Sequence, residues 1–377
     1  MNFRVNIVGA GMSGLALAHG LHRLGIEVAV FERDPFPGAR PQGYRIQLDA
    51  PGLDGLRRCL PPQLYKSCLA TAASPPPRVT VLDQHLKVLA DRAVSERARS
   101  GMITSLAFDR ATLRQLLLAG LPADVHYGAQ FATYDQLPDG RIAAHFADGR
   151  IVAGDLLVGA DGVNSAVRRK LLPEAEIEDA GLRLIYGKIP LPDPASQALP
   201  DWVFESIFTV VKGAGGTHMG VGPVRNYVAC LVGATTDHPC MPPFAALRRL
   251  DGPNLRDLAH RIIGPGHHPD IDRILGSWDT ATLIPLRIST AGAVRQWDCH
   301  GVTLIGDAVH AMSPVLAMGA NTALRDAGEL TTSISAALES GTSPHDAVRR
   351  YEIGMLEYSS ALVAASRRTG QERVGQR

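Results

Sequence analysis

The hydrophobic period of this chain changes several times, and each change predicts an element. Residues 3–8 are a short apolar run, the pattern of a strand buried on both faces. Glycines follow at 9, 11 and 14. Leu17, Leu21 and Leu24 then recur at helical spacing until Gly25 stops the helix. Residues 28–31 form a second apolar run that ends in Glu32. Residues 53–69 read as helix interrupted by Pro61 and Pro62, and residues 78–89 alternate as a hairpin. Asp109 is placed to cap a helix that begins at Arg110. Residues 125–153 read as a β-meander punctuated by Pro138-Asp139-Gly140 and Asp148-Gly149. Residues 156–158 are a further buried strand, running into Gly159-Ala160-Asp161-Gly162 and a helix near Ala166.

From about 177 to 286 the pattern is different. Strand-like runs at 184–191, 203–211, 227–233 and 280–286 alternate with Pro/Gly-rich loops and one helix near 243–263. This predicts a mostly antiparallel sheet in a separate domain, with the glycines of 213–222 in a loop. Residues 302–305 are another buried strand, ending in Gly306-Asp307-Ala308. A loop over 310–320 feeds a helix near Asn321, whose buried face is Ala323, Ala327, Leu330 and Ile334. A last amphipathic helix carries Val348, Tyr351, Met355, Tyr358 and Leu362, a stripe that suits packing.

At 377 residues the chain is too long for one core and should form two domains or three. Lys+Arg is 38 and Asp+Glu 37, so nothing marks a nucleic-acid or acidic-membrane partner. No run is long enough to span a membrane, and residues 3–8 are too short for a signal peptide. Five cysteines without a C-x-x-C pair fit a reducing cytoplasm, and thirteen histidines show no metal spacing.

The first glycine cluster has a physical reading. Gly9 permits a tight turn, Gly11 lets backbone approach a pyrophosphate, and Gly14 lets helix pack on strand. The helix N-terminus offers unpaired N–H groups, and Glu32 can accept from a ribose hydroxyl. The motif alone does not separate NAD from FAD, and glycines serving only packing are the plain alternative. In the loop after the second strand, Arg40 and Arg45 can touch a cofactor or nucleotide, or be solvated charges. Arg110 opposes its helix dipole, so it serves an anionic ligand unless it is a surface arginine.

Three glycine–acid junctions therefore stand in one chain, near 9–32, 159–169 and 306–321. Together they resemble the single-component FAD-dependent aromatic hydroxylases of the p-hydroxybenzoate hydroxylase type. Gly9-Ala10-Gly11-Met12-Ser13-Gly14 with Glu32 is similar to that family's ADP-binding motif. Asp161-Gly162 with Ser165 and Arg168 is similar to its D-G motif. Gly306-Asp307 with His310, Pro314, Gly319, Asn321 and Asp326 is similar to its G-D motif. The Asp109-Arg110 pair resembles a helix opening whose arginine contacts FAD.

The resemblance implies an α/β fold: a Rossmann-like, GR2-type FAD-binding domain interwoven with a smaller antiparallel substrate domain. The expected division is 1–77, 101–176 and 287–340 for FAD, 78–100 and 177–286 for substrate, and 341–377 as a C-terminal helix on the FAD domain. It implies that Gly9, Gly11, Ser13 and Gly14 hold the pyrophosphate, with Glu32 and Arg33 at the adenosine end. Arg45 and Arg110 contact FAD, and Asp307 binds its ribityl or pyrophosphate-proximal part. Pro314, Gly319, Ala320 and Asn321 border the isoalloxazine. Asp161 is shared between FAD and a transient NAD(P)H. No metal and no obligatory catalytic side chain are implied; His218, Tyr186 and His238 are the available bases, each read as structural. The implied activity is NAD(P)H- and O₂-dependent hydroxylation of an aromatic or polycyclic molecule through a peroxyflavin, in a cytoplasmic monomer or homodimer. Epoxidation, Baeyer–Villiger chemistry, a flavin oxidoreductase without oxygen insertion, and a non-catalytic binding protein stay open. One departure stands out: Ala317 lies where the family usually has glycine. The lack of W-x-W-x-I-P argues against a halogenase.

Overall fold

The computed structural model describes residues 3–39, 43–94, 105–121, 123–191, 199–298 and 301–377. The chain opens with β1 (Arg4–Val8), α1 (Met12–Arg23) and β2 (Glu27–Phe31). Gly25, at φ 72°, ends the helix in a left-handed turn. Next come β3 (Arg45–Asp49), α2 (Ala50–Cys59), α3 (Pro62–Ala70), β4 (Arg78–Asp83), β5 (Val88–Ala93), β6 (Ser105–Asp109) and α4 (Arg110–Ala119). Pro62 at the start of α3 breaks the continuous helix, because proline cannot donate into a preceding turn. The middle of the chain gives β7 (Val125–His126), β8 (Phe131–Gln136), β9 (Ile142–Phe146), β10 (Ile151–Gly154), β11 (Leu156–Gly159) and α5 (Ala166–Leu171).

The second half runs β12 (Ile177–Pro190), β13 (Phe208–Lys212), β14 (His218–Pro223), β15 (Tyr227–Thr235), α6 (Phe244–Leu247), α7 (Gly252–Ile263), α8 (Pro269–Gly276) and β16 (Asp279–Ala291). It closes with β17 (Val302–Leu304), α9 (Asp307–His310), α10 (Gly319–Ser340) and α11 (Pro344–Val374).

A five-stranded parallel sheet, in the order β17-β11-β1-β2-β7, carries the first half. Its strands are buried on both faces, as a doubly wound sheet requires. Residues 125–126 therefore belong to this sheet; the meander is the separate antiparallel set β10-β9-β8. Helix α10 lies close on α1 and α2 because small residues meet there. A methyl on Gly20 would strike Thr331, one on Gly55 would strike the Leu324 carbonyl, and one on Gly328 would come within 2.8 Å of Gly55 Cα.

A seven-stranded sheet, in the order β16-β12-β15-β14-β13-β4-β5, forms the second layer. Residues 78–93 pair into it across β13, far along the chain. Several expectations change here. The glycines of 213–222 do not all lie in a loop, since β14 occupies 218–223 and sits inside the sheet. Its Gly220 and Gly222 hide the strand from a β-propensity reading. Residues 201–203 form a 3₁₀ turn, so the strand expected at 203–211 begins only at Phe208. The single helix of 243–263 is two, split before Gly252, and α8 was not anticipated.

Alternation sorts the side chains of this sheet. Ile185, Ile189, Val211, Met219, Val221, Val228, Cys230 and Val232 face α7 and α8 and make an aliphatic core. Leu184, Tyr186 and Lys188 of β12 face the other way. Pairing places Gly233, Leu231 and Ala229 beside them, then His218, Gly220 and Gly222 of β14. This face meets the two-stranded ribbon β3–β6, where Tyr186 accepts from the Arg45 backbone N–H at 2.7 Å. Helix α11 begins against the parallel half, with Tyr351 donating to the Leu304 carbonyl. Its far end reaches the seven-stranded half, where Arg367 pairs with Glu178 at 3.0 Å and the Arg377 backbone N–H donates to Ala180 O.

Candidate functional site

The ends of β1, β11 and β17 lie side by side, so the three glycine–acid junctions share one carboxyl edge. Gly9 has φ 108°, and a methyl there would strike the Ala160 carbonyl oxygen. A methyl on Gly14 would strike the Gly9 carbonyl, whereas one on Gly11 would meet only Ala160 O at 3.9 Å. Gly9 and Gly14 are thus fixed by packing, and Gly11 leaves open space at the α1 N-terminus. Gly306, at φ 63°, lies against Ser13: a methyl there would come within 3.0 Å of its Oγ. The first and third junctions therefore interlock.

Glu32 is buried. One carboxylate oxygen accepts from the Ala10 N–H at 2.9 Å and the other from the Asp34 N–H at 3.0 Å. Arg33 beside it is exposed. Asp161 accepts from the Ala166 N–H at 2.7 Å through Oδ2, while its buried Oδ1 has no hydrogen-bond partner. Arg168 donates to the Ala308 carbonyl at 2.9 Å and so ties the second junction to the third. The charge of Arg110 acts on Asp307, and its guanidinium lies over the Tyr44 ring at 5.0 Å.

The loop after β17 is held from two sides. Asn321, fully buried, donates to Ala317 O and to Gln47 O at 3.0 Å and accepts from the Asp49 N–H at 2.7 Å. Pro314 begins a 3₁₀ turn that ends at Ala317, which sits at φ 54° in the left-handed region. Helix α10 starts at Gly319, so Gly319 and Ala320 form its first turn. Behind the loop, Asp326 accepts from the Gly306 N–H at 2.7 Å, from His310 at 2.6 Å and from Tyr358 OH at 2.6 Å. Burial lowers the His310 pKa, but the charge and bond of Asp326 outweigh it, so the net shift is upward. Ser366 of α11 donates to Ser313 O at 2.8 Å and closes the back of the loop.

On the opposite wall, Asp109 caps α4 through the Thr112 N–H and also accepts from Lys188 Nζ and Tyr227 OH, both at 2.8 Å. Desolvation raises the Asp109 pKa, and these bonds more than reverse it. His218 is 7% exposed, and burial pushes its pKa down to about 4. It lies across Gly233 beside Leu184. His238 sits in a turn and accepts from the Cys240 N–H.

Gly9, Gly11, Ser13 and Gly14 of the first junction, Asp161 of the second and Asp307 of the third thus meet at this carboxyl edge, with Gly319 and Arg110 close to Asp307. Arg45 faces the seven-stranded sheet, and Arg40 lies outside the described residues. The sequence reading missed Lys188, Tyr227 and the buried Arg114. Arg114 donates to Ala10 O and Pro37 O at 2.8 Å and braces the first turn. An arginine on the apolar face of α4, between Leu113 and Leu117, was the available signal. Nothing along the chain pairs Lys188 with Asp109, 79 residues apart.

The chain is similar to known proteins along most of its length. The FAD binding domain family matches residues 259–366, and the NAD(P)-binding Rossmann-like domain family matches residues 7–73. The chain is 31% identical over 372 residues to the dual O-methyltransferase/FAD-dependent monooxygenase elcB of Phaeosphaeria nodorum, which spans 86% of this chain and 39% of that protein. It is 28% identical over 391 residues to 3-amino-4-hydroxybenzoate 2-monooxygenase of Streptomyces cremeus, covering 98% and 88%. The crystal structure of an FAD-containing monooxygenase from Photorhabdus luminescens superposes with a TM-score of 0.86 at 27% identity, over 99% of this chain and 98% of that one. The chain spans about two fifths of the length of the first curated relatives it matches.

The two domain matches and the parallel sheet mark an FAD-binding protein of the Rossmann-like class. Over nearly its whole length the chain is similar to FAD-dependent monooxygenases.

Proposed function

We propose that this chain hydroxylates an aromatic or polycyclic small molecule, with FAD as resident cofactor, NAD(P)H as transient reductant and O₂ as co-substrate. One observation carries the reading: three strand-end junctions meet at one carboxyl edge, and the ribbon β3–β6 beside it packs on the aromatic face of the seven-stranded sheet. The division into an FAD half (1–77, 101–176, 287–340), a substrate half (78–100, 177–286) and a C-terminal helix belongs to the same proposal. So do a cytoplasmic setting and a monomer or homodimer. Among the described residues, no helix is long and apolar enough to cross a membrane.

The residues present fit FAD. Gly11 leaves the α1 N-terminus open to a diphosphate, and two backbone N–H groups fix the Glu32 carboxylate at the end of β2. The unpartnered Oδ1 of Asp161 can accept from a ligand donor. Ser13 and Asp307 border the space between the first and third junctions, and Arg110 supplies positive charge there. Bound FAD supplies hydride acceptance and oxygen activation. The protein's own part is placement. The first turn of α10, at Gly319 and Ala320, would favour negative charge on a flavin ring held beside Pro314 and Asn321. The apolar positions Leu184, Leu231 and Leu286 exclude water from the reacting face.

The visible spectrum of the purified protein tests this, followed without oxygen after NADPH or NADH is added. Flavin bands that bleach faster with an aromatic ligand, together with ligand-dependent O₂ uptake, support the proposal. Bleaching without ligand-dependent O₂ uptake points to an oxidoreductase that inserts no oxygen. A colourless protein that takes up no FAD refutes the assignment of Asp161, Asp307 and Arg110.

A further inference from the structure

Arg45 is the first residue of β3, in the parallel half, yet its side chain reaches into the seven-stranded sheet. Its Nη2 donates to Ile207 O at 2.7 Å, and its guanidinium carbon lies 5.4 Å from the centre of the Phe208 ring. It crosses the strand at Gly222, where a methyl would come within 2.8 Å of Nε. The buried Nε has no hydrogen-bond partner, and no carboxylate among the described residues forms an ion pair with Arg45. Burial holds its pKa down to about 10, so it stays charged at neutral pH.

A buried guanidinium costs free energy unless an anion meets it. The Phe208 face and one carbonyl offset only part of that cost. The nearby carboxylates are already used: Asp109 is satisfied by Lys188, Tyr227 and Thr112, and Asp49, whose charge acts on Arg45 without an ion pair, accepts from Ser105 and Gln47. Around Arg45 stand Tyr44 and Tyr186, with ring centres 6.1 Å apart, and Tyr227 and Val224. These are flat, largely apolar walls beside one unpaired cation.

We infer that Arg45 recognises an anionic oxygen on the substrate, a carboxylate or an ionised phenol carried by an aromatic frame. The inference rests on the monooxygenase reading and narrows its substrate class. The same chemistry could come from a cofactor phosphate, and the experiment separates the two sources.

The FAD-loaded protein is titrated with 2-naphthoate and with the neutral isostere 2-naphthamide, while the absorption of bound flavin is followed. FAD affinity is measured separately by quenching of flavin fluorescence. The expected result is a naphthoate preference of about tenfold or more, constant from pH 6 to 9. Arg45→Met should abolish the preference and leave FAD affinity within about threefold; Arg45→Lys should restore part of it. Gly222→Ala, which displaces the side chain without removing it, should weaken the preference in the same direction. Equal binding of the two probes by the unmodified protein, or no response to naphthoate, overturns the inference. So does an Arg45→Met protein that loses FAD about tenfold and keeps the preference, because Arg45 then serves the cofactor. If the unmodified protein holds no FAD, the monooxygenase reading fails on its own. Naphthoate selectivity, read then by tryptophan fluorescence, still decides the role of Arg45.

Discussion

The two faces of the seven-stranded sheet follow different rules. The face under α7 and α8 is mostly aliphatic, and Ile185, Met219, Val221, Val228 and Val232 have no exposed surface. Those positions satisfy the same demand, burial of apolar area. The opposite face, on the same strands, carries Tyr186, Tyr227, His218, Lys188 and two glycines. It leaves the His218 Nδ1 unpartnered and the Arg45 Nε without a mate. Thr209 Oγ1, in register with Val221 on the helix-covered face, is unpartnered too, so the contrast lies in the aromatic and charged side chains and not in unmet polar atoms. The difference separates what holds the sheet together from what the sheet is for.

The sharpest challenge to that contrast lies at the carboxyl edge of the parallel sheet. Gly9→Ala forces a methyl into the Ala160 carbonyl at a positive φ. It should cost about 3 kcal/mol or more and abolish flavin retention, read by absorption after gel filtration. A variant that stays yellow breaks the claim that packing fixes this turn. On the helix-covered face, Ile185→Ala should cost about 2–5 kcal/mol in urea unfolding and leave ligand affinity unchanged. A loss of ligand binding without loss of stability would mean the faces are not separable.

His218 offers a pH test. Its folded pKa is about 4 and its ordinary value 6.5, so the unfolded chain takes up the proton first as pH falls. The stability that its neutral form contributes is whole above 6.5 and drains away toward pH 4, by up to about 3 kcal/mol. His218→Leu should flatten thermal melts over that window, and an unchanged slope assigns the acid sensitivity elsewhere. The smallest effect belongs to Ala317→Gly, which relieves a left-handed alanine and should raise stability by up to about 1 kcal/mol. A loss of stability would show that the methyl is packed, not strained.

Much of the site could be read along the chain because its logic is local. Strand, glycine, helix and acid must follow one another within some 25 residues, so residues 3–32 declare themselves. The junctions at 159–169 and 306–321 repeat the arrangement, and the cap at Asp109 follows from one residue and its neighbours. The substrate face could not be read this way. β14 hid behind its glycines, residues 78–93 joined a sheet whose next strand starts at Phe208, and α8 fell among Pro/Gly-rich turns.

The sequence by itself determined the parallel layer and the glycines and acids at its carboxyl edge, because each depends on contacts a few residues apart. The tertiary structure alone decided which face of the seven-stranded sheet meets the ribbon β3–β6. It brought Lys188 and Tyr227 to Asp109, laid Arg45 across Gly222, and held Ala317 left-handed through the grip of Asn321. Those choices rest on contacts between residues far apart in the chain. Hydrophobic period fixes which side of a strand is buried, but not which distant strand will lie against it.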